Sequence, residues 1–215
     1  MENVFRNYES QTWKEKELII ILNKDDINIE KWQLRASLSR NVHVHQIQEE
    51  YTLGECLNLG IEKAKYDFIA KFDDDDYYSP YYLTRSMEVF NLTNVDLVGK
   101  QTVYMYFIDD KILAIHRPGR EDRYVKQGVK GATLIFKKQI TEKVLFPKLN
   151  LGEDTFFIKA CIKNGFRVYS MDKSNYVCIR TSQREHHTWN INNEILLRKS
   201  SFICNTSDYK PFVIN

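Results

Sequence analysis

The sequence predicts an α/β fold, with a mainly parallel sheet, helices on both of its faces and a small antiparallel portion. The segment ELIIIL, residues 17–22, is a continuous apolar run, which is typical of a strand buried on both faces. Amphipathic, helix-length segments alternate with strand-like segments over the first third of the chain, as in folds built on a parallel sheet. Only 4 prolines and 8 glycines interrupt the 215 residues, so we expect one domain spanning 1–215.

The first half reads as a regular alternation of helix and strand. Apolar side chains at near-helical spacing predict a short helix within residues 1–13. The predicted elements that follow are a strand at 17–22, a helix at 28–38, a strand at 41–47, a helix at 52–65 and a strand at 66–72. Because parallel sheets bind ligands beyond the carboxyl ends of their strands, we expect chemistry just after residue 72.

The second half is less regular. Its predicted elements are antiparallel strands at 96–108 and 112–117, a strand at 131–138, a helix at 152–165, a strand at 166–171 and a final helix at 192–203. The helix at 152–165 should turn Phe156 and Phe157 inward and end at Asn164-Gly165 in a left-handed cap.

Composition excludes several classes of protein. With 31 Lys and Arg against 29 Asp and Glu, the net charge of +2 gives no case for nucleic acid as the main partner. The 4 cysteines are widely spaced and form no C-x-x-C pair, which disfavours a zinc site and suggests a reducing compartment. No apolar run reaches the length of a membrane span, and residues 1–10 lack the apolar core of a signal peptide. We therefore expect a cytoplasmic protein.

Four consecutive carboxylates, Asp73 to Asp76, follow the strand at 66–72. In an extended chain, Asp73 and Asp75 point to one face and Asp74 and Asp76 to the other. Oxygen ligands at this spacing can share a hard divalent cation, which would also remove their mutual repulsion. The alternative is a solvated turn, since a Ser-Pro pair follows at 79–80.

The segment GECLNLGIEKAKYDFIAKFDDDDYYSPYYL, residues 54–83, resembles the centre of a family-2 glycosyltransferase of GT-A fold. Three more segments resemble parts of that family in the same order: NYESQTWKEKELIIIL (7–22), GVKGATLIFKK (128–138) and LGEDTFF (151–157). The resemblance is greatest to bacterial enzymes of spore-coat or surface-polysaccharide type. The positions that match the central motif are Asn58, Gly60, Asp73, Asp75, Asp76 and Pro80.

The resemblance implies a hexosyltransferase that moves a sugar from a nucleotide-diphosphate sugar, with UDP as the expected nucleotide, to a saccharide or other hydroxyl acceptor. It implies Mn²⁺ or Mg²⁺ as cofactor, held directly by Asp75, through water by Asp73, and by His187 in preference to His186. The metal stabilises the diphosphate that leaves, so no protonating acid is needed. Exposed histidines are the alternative for the pair at 186–187.

By the same resemblance, Asp154 is the general base of an inverting displacement. Its place in the first turn of a helix favours the ionised carboxylate, although acids at this position are also common helix caps. The resemblance implies supporting roles for Glu153, His186 and Asp76 around the site. The expected contacts to nucleotide and donor sugar are Asn23, Asn58, Asp73, Asp74 and Gly131.

Two features depart from the family pattern. The chain begins at the helix that follows the family's first strand, so we expect an N-terminally short domain, with the strand-like 210–215 as a candidate to fill the gap. Leu22-Asn23 stands where an acid usually contacts the base, and Leu57 stands where arginine is frequent. These departures favour an alternative, a non-catalytic remnant that binds a nucleotide or a partner protein. A metal-dependent nucleotidyltransferase is a third hypothesis, and homo-oligomerisation is left open.

Overall fold

A computed structural model describes residues 1–181 and 191–215 of the chain. Its α-helices begin close to where polar caps and apolar periodicity predict them. Their bounds are α1 Glu2–Glu9, α2 Ile29–Ser37, α3 Leu53–Lys63, α4 Tyr82–Leu92, α5 Glu153–Lys163, α6 Asn193–Arg198 and α7 Lys210–Val213. No helix among the described residues is long and apolar enough to span a membrane.

Twelve strands alternate with these helices in the described part of the chain. Their bounds are β1 Leu18–Leu22, β2 Val42–Gln46, β3 Phe68–Ala70, β4 Tyr77–Tyr78, β5 Leu97–Gly99, β6 Val103–Phe107, β7 Ile112–His116, β8 Arg123–Val125, β9 Ile135–Lys137, β10 Val168–Ser170, β11 Tyr176–Arg180 and β12 Ser200–Asn205. Short 3₁₀ helices at 131–133 and 138–142 flank β9.

The first five predicted elements of the chain are confirmed. The Asn28 side chain caps α2 by accepting a hydrogen bond from the Lys31 N–H. Thr52 and Glu55 form a reciprocal capping box at the start of α3. Strands β1 and β2 pair in parallel, with Leu18 opposite Val42. Local signals of capping and periodicity therefore suffice for the elements of residues 2–63.

The strands form three ladders, in the orders β1-β2, β3-β9-β5-β10-β8 and β12-β7-β6-β11-β4. Three of the strand pairs in the described residues are parallel and six are antiparallel. The prediction of a mainly parallel sheet is therefore wrong in its proportions. The reason is that β9 lies antiparallel between β3 and β5, and the β6-β7-β12 portion is built by antiparallel pairing.

Two predicted elements are divided in the structure. The strand expected at 96–108 breaks into β5 and β6, which lie in different ladders, because the Lys100 N–H donates to the Thr133 hydroxyl at 2.9 Å. The helix expected at 192–203 ends at Arg198, and β12 begins at Ser200 to pair with β7. Both changes come from contacts distant in sequence.

Helix α5 has the predicted position but a shifted buried face. Phe157, Ile158 and Cys161 are fully buried, whereas Phe156 is 56% exposed and lies under the Lys159 ammonium. The prediction that Phe156 turns inward is wrong by one position on the helix. The helix ends as expected, with Gly165 in the left-handed region at φ +84°.

The carboxyl-terminal segment packs far from β1. Val213 is buried in a cluster with Tyr104 and Tyr106, and its carbonyl accepts a hydrogen bond of 2.7 Å from the Asn175 N–H. Residues 210–213 are helical rather than extended. The hypothesis that 210–215 supplies a strand to the amino-terminal sheet is therefore wrong.

Candidate active site

The four aspartates begin three residues after β3. The backbone at the first of them is held in place by the side chain of Tyr78. The Asp73 N–H donates to the Tyr78 hydroxyl at 2.8 Å, and that hydroxyl donates to the Ala132 carbonyl at 2.6 Å. The Tyr78 ring is fully buried and stacks on Phe72 with 3.9 Å between ring centroids. A buried aromatic residue thus holds the acidic strand end against the loop before β9.

Helix α1 holds the same segment from the other side. The Asn3 side chain donates to the carbonyls of Asp74 and Asp76 at 2.7 and 2.9 Å, and the buried Asn7 side chain donates to the Asp76 carbonyl at 2.9 Å. These bonds satisfy backbone groups that no strand partner reaches in this turn. The acidic segment is therefore an ordered structure rather than a freely solvated loop.

Three of the carboxylates converge. Ligand oxygens of Asp73, Asp75 and Asp76 all lie within 4.8 Å of one another. A set made only of carboxylate oxygens suits Mg²⁺ or Mn²⁺, so the residues present fit the cation that the sequence predicts. Convergence of three acids is stronger support than their proximity in sequence.

Asp76 differs from the other two. It is buried and accepts hydrogen bonds from the Tyr176 hydroxyl and, at 3.0 Å, from the Ile179 N–H. Burial raises the pKa of Asp76 to about 7, although the nearby Lys130 opposes that rise. We infer that Asp76 chiefly supports the site, while Asp73 and Asp75 face the cavity more freely.

Two buried ammonium groups lie among these acids. Lys71 pairs with Asp73; burial opposes its charge, but Asp73, Glu153 and Asp154 outweigh burial and raise its pKa. Burial likewise opposes the charge of Lys130, and its neighbours Cys178, Asp76 and Asp73 raise its pKa. Both lysines are therefore cationic at neutral pH and offset part of the negative charge.

The predicted base, Asp154, lines the same cavity as the acidic strand end. Asp154 is the second residue of α5, and its Oδ1 accepts hydrogen bonds from the Thr155 N–H and hydroxyl at 2.5 and 3.2 Å. Its Oδ2 lies against Gly131, where an added Cβ would stand only 1.8 Å away. The neighbouring Glu153 is buried, and burial together with the charge of Asp154 raises its pKa.

One cavity of about 1290 Å³ joins these groups. The predicted site residues that line it are Asn23, Asp73, Asp74, Asp75, Asp76, Gly131, Glu153 and Asp154. At its rim the Asn23 side chain donates to the Gln48 carbonyl at 2.8 Å, which leaves its oxygen available to a ligand. The structure therefore gathers most of the predicted residues into one place.

Asn58 is not brought to this cavity. Its amide nitrogen donates to the Phe146 carbonyl at 2.9 Å, and its amide oxygen accepts from the Phe146 N–H at 3.0 Å. Both polar atoms of the side chain are thus used to hold a loop against α3. The predicted metal ligands His186 and His187 lie outside the described residues.

Several supporting residues escaped the sequence reasoning. Lys71 carried a usable signal, because a residue two before Asp73 in a strand shares its face. Lys130 also carried a usable signal, because it precedes Gly131, an expected contact to the nucleotide and donor sugar. The roles of Tyr78 and Asn7 had no signal in the sequence, because their partners lie 54 and 69 positions away.

Several solved structures share the fold of this chain. The S. aureus TarS 1-349 structure in complex with UDP-GlcNAc matches with a TM-score of 0.66 at 16% identity, over 90% of this chain and 58% of that one. Mannosyltransferase PcManGT from Pyrobaculum calidifontis, in complex with GDP-Man and Mn²⁺, matches with a TM-score of 0.61 at 15% identity, over 92% and 58%. This chain thus spans less than two thirds of the structures it resembles. The fold class is that of the GT-A glycosyltransferases.

The sequence profile of Glycosyl transferase family 2 matches residues 1–152. The chain therefore belongs to glycosyl transferase family 2. No curated protein matches the sequence.

Proposed function

We propose that this protein transfers a sugar from a nucleotide-diphosphate sugar, with UDP as the nucleotide, to a hydroxyl acceptor, and that it inverts the anomeric centre. The observation that carries the proposal is one cavity that is lined both by the converging carboxylates and by Asp154. The similar structures that hold UDP-GlcNAc and GDP-Man support a nucleotide-diphosphate donor. A saccharide acceptor and a role in making a surface polysaccharide follow from the resemblance of the sequence.

Asp75 and Asp73 are the residues that would hold Mn²⁺ or Mg²⁺, with His187 as a further candidate ligand. When bound, the cation stabilises charge on the leaving diphosphate. The Mn²⁺ of the PcManGT structure supports this choice of metal. Lys71 positions Asp73 by pairing with its carboxylate.

The remaining chemistry belongs to Asp154. Its carboxylate takes the proton of the acceptor hydroxyl as that oxygen forms the new bond to the anomeric carbon. The bond from the anomeric carbon to the diphosphate oxygen breaks on the opposite side, which inverts the centre. The N–H and hydroxyl of Thr155 both donate to Oδ1 of Asp154 and so orient the carboxylate. Contact with Gly131 fixes where the carboxylate can stand.

A non-catalytic, nucleotide-binding protein is the second candidate. It is favoured by Leu22-Asn23, where the family pattern has an acid, and by separate pairing of β1-β2 from the ladder that carries the acidic strand end. Binding without turnover distinguishes it from an enzyme.

The first experiment measures thermal stabilisation by UDP with Mn²⁺. A ligand at 100 times its Kd stabilises by about 2.7 kcal/mol, which for a chain of this size raises Tm by roughly 5–10 °C. We expect this rise in the wild type and in Asp110→Asn, an exposed turn substitution, and little rise in Asp75→Asn. Equal stabilisation of all three proteins would contradict the assignment of the metal site.

The second experiment follows release of UDP from a panel of UDP-sugars with Mn²⁺. Asp154→Asn should bind UDP as tightly as the wild type but lose at least about 100-fold in turnover, because it lacks the proton acceptor. Wild-type binding with no turnover of any sugar nucleotide would favour the non-catalytic alternative.

A further inference from the structure

A basic segment of the chain is left unused by the proposed mechanism. The segment HRPGREDRYVKQGVKG, residues 116–131, holds five arginines and lysines against two acids, a net charge of +3, while the whole chain has +2. Only Lys130 and Gly131 of this segment belong to the site described above. We call a further set of residues that line the cavity the basic patch: Gln101, His116, Arg117 and Gly128.

The residues of the basic patch are neighbours in space. The buried Thr102 hydroxyl, next to Gln101 in sequence, donates to the Arg117 carbonyl at 2.6 Å. The Gln101 amide nitrogen donates to the Gly128 carbonyl at 2.9 Å, and its amide oxygen accepts from the Arg123 guanidinium at 3.1 Å. The basic patch is therefore one continuous part of the cavity lining.

The loop from Gly128 to Gly131 joins the basic patch to the predicted base. Gly131 lies against the Asp154 carboxylate, and an added Cβ at Gly128 would meet Ile158 of the same helix at 3.8 Å. Three residues of extended chain span about 11 Å at most, so the Cα atoms of Gly128 and Gly131 lie no farther apart than that. This distance is comparable with the length of a disaccharide, so one acceptor molecule can reach both places.

Arg117 presents a charge that the described residues do not pair. Its side chain is exposed, and no ion pair in the described part of the chain includes it, whereas Glu121 of the same segment pairs with Lys173 at 3.5 Å. Its φ of +51° is unfavourable for a residue other than glycine. The Thr102 hydroxyl and the Lys199 carbonyl, at 3.4 Å from the Arg117 nitrogen, hold it there. Backbone held in this way is common where a side chain meets a ligand.

The surroundings of Arg117 add further positive charge. The neighbouring His116 is buried and lies 3.2 Å from the Ser200 hydroxyl. The charged groups that act on His116 are Arg117, Lys130 and Lys199, and all three are positive. A cavity lining of one sign concentrates ligands of the opposite sign. The basic patch therefore suits an anion, whereas the aspartate cluster suits a cation.

We propose that the acceptor carries an oxyanion, a phosphate or a carboxylate, near its reacting hydroxyl, and that Arg117 binds this oxyanion at the basic patch. The inference rests on the proposed function, because it names the acceptor that the same cavity receives. A planar guanidinium group forms paired hydrogen bonds with either oxyanion. The donor diphosphate is assigned to the cation at Asp73 and Asp75, so the basic patch is left for the second substrate.

The test measures binding of methyl glycosides to the full chain saturated with UDP and Mn²⁺, by isothermal titration calorimetry. The probes share a glucose-type ring and are methyl glucoside 6-phosphate, methyl glucuronoside and the neutral methyl glucoside. We expect at least one charged probe to bind more tightly than the neutral probe by a factor of about 10 or more, because its hydrogen bonds to Arg117 are charge-assisted. The tighter of the two charged probes identifies the oxyanion.

Three variants separate the role of Arg117 in binding from its effect on folding. Arg117→Gln keeps much of the side-chain length and should lose the preference for the charged probe. The matched control, Arg120→Gln, replaces an exposed arginine of the same loop that does not line the cavity, and it should keep the preference. Arg117→Gly should lose the preference while Tm is unchanged or rises, because glycine adopts a positive φ without strain.

The outcomes distinguish this inference from the proposed function. Equal binding of the three probes to the wild type overturns the inference, and so does an unchanged preference in Arg117→Gln. Displacement of UDP by the phosphate probe also overturns it, because the anion then binds where the donor does. Each of these results leaves the proposed function standing. Absence of UDP and Mn²⁺ binding by the wild type, seen before any probe is added, refutes the proposed function itself and the inference with it.

Discussion

Residue 131 is glycine, so its Cα carries a hydrogen atom where alanine would carry a methyl group. This difference determines where Asp154 can lie. The carboxylate oxygen occupies the position that a Cβ of residue 131 would need. A glycine here is required by close approach, and not by backbone dihedral angle, since Gly131 is absent from the glycines with positive φ.

Gly131→Ala should displace Asp154 and cost about 100-fold in turnover, because misplacement of a reacting group by 1 Å has an effect of that order. Tm should change by only a few degrees, since the Asp154 carboxylate can swing toward the cavity. The matched control is Gly128→Ala in the same loop, where an added Cβ would meet only Ile158 Cδ1 at 3.8 Å. Steady-state turnover of both variants checks the prediction, and equal rates would refute it.

At the scale of single residues, the sequence indicates the acidic residues of the site more clearly than the residues that hold them in place. Asp73, Asp75 and Asp154 are readable because short motifs carry them. The expected donor contact of Asn58 was read from the same motif, but packing against Phe146 uses both of its amide atoms. The motif does not reveal which loop lies beside α3, so the sequence could not predict that pairing.

At the scale of elements, β7 and β12 are joined at their ends by a buried polar contact. His116, the last residue of β7, lies 3.2 Å from the Ser200 hydroxyl at the start of β12. Burial, together with the positive charges of Arg117, Lys130 and Lys199, lowers the pKa of His116 to about 4. The strand pair therefore contains a neutral histidine at physiological pH.

This histidine makes stability depend on pH in a known direction. Its folded pKa is depressed, so its contribution is present above the unfolded value of about 6.5 and is lost as pH falls toward 4. His116→Asn keeps a polar atom near Ser200 and cannot titrate. The Tm advantage of the wild type over this variant should shrink between pH 7 and pH 4. Parallel Tm curves for the two proteins over that range would show that His116 does not titrate as described.

Elements with local signals were predictable, and elements made by distant pairing were not. Thr52 and Glu55 form a capping box within four residues of sequence, and this local pattern predicts the start of α3. Strand β12 follows α6 at once, and only pairing with β7 distinguishes its start from a continued helix. The break between β5 and β6 depends on Thr133, which lies 33 positions from Lys100.

At the scale of the whole molecule, residues of the fold offset part of the negative charge of the candidate site. Lys71 and Lys130 lie among the acids, and both have raised pKa values. Hydrogen bonds from Tyr176 and Ile179 stabilise the Asp76 carboxylate. Repulsion among the carboxylates is therefore reduced within the fold itself.

Removal of divalent metal by EDTA should accordingly leave a single cooperative unfolding transition and shift Tm by no more than a few degrees. Addition of Mn²⁺ with UDP should then raise Tm, as described for the binding experiment. Thermal unfolding followed by circular dichroism measures both steps. Loss of the transition in EDTA at 25 °C would show that the metal is required for folding.

The overall fold class follows from the sequence, but the sheet topology does not. Strict alternation of strand and helix through residue 72 predicts parallel strands, and β1-β2 confirms it. Strand β9, residues 135–137, pairs antiparallel with β3 and with β5. No local sequence pattern specifies these two neighbours.

The attachment of Asn3 to the carbonyls of Asp74 and Asp76 has a practical consequence for purification. A polyhistidine tag fused before Met1 would emerge next to the acidic cluster, where its imidazoles could compete for the cation under study. The carboxyl terminus packs against Asn175, on the sheet that also carries Tyr106. Affinity tags for metal titrations therefore belong after Asn215.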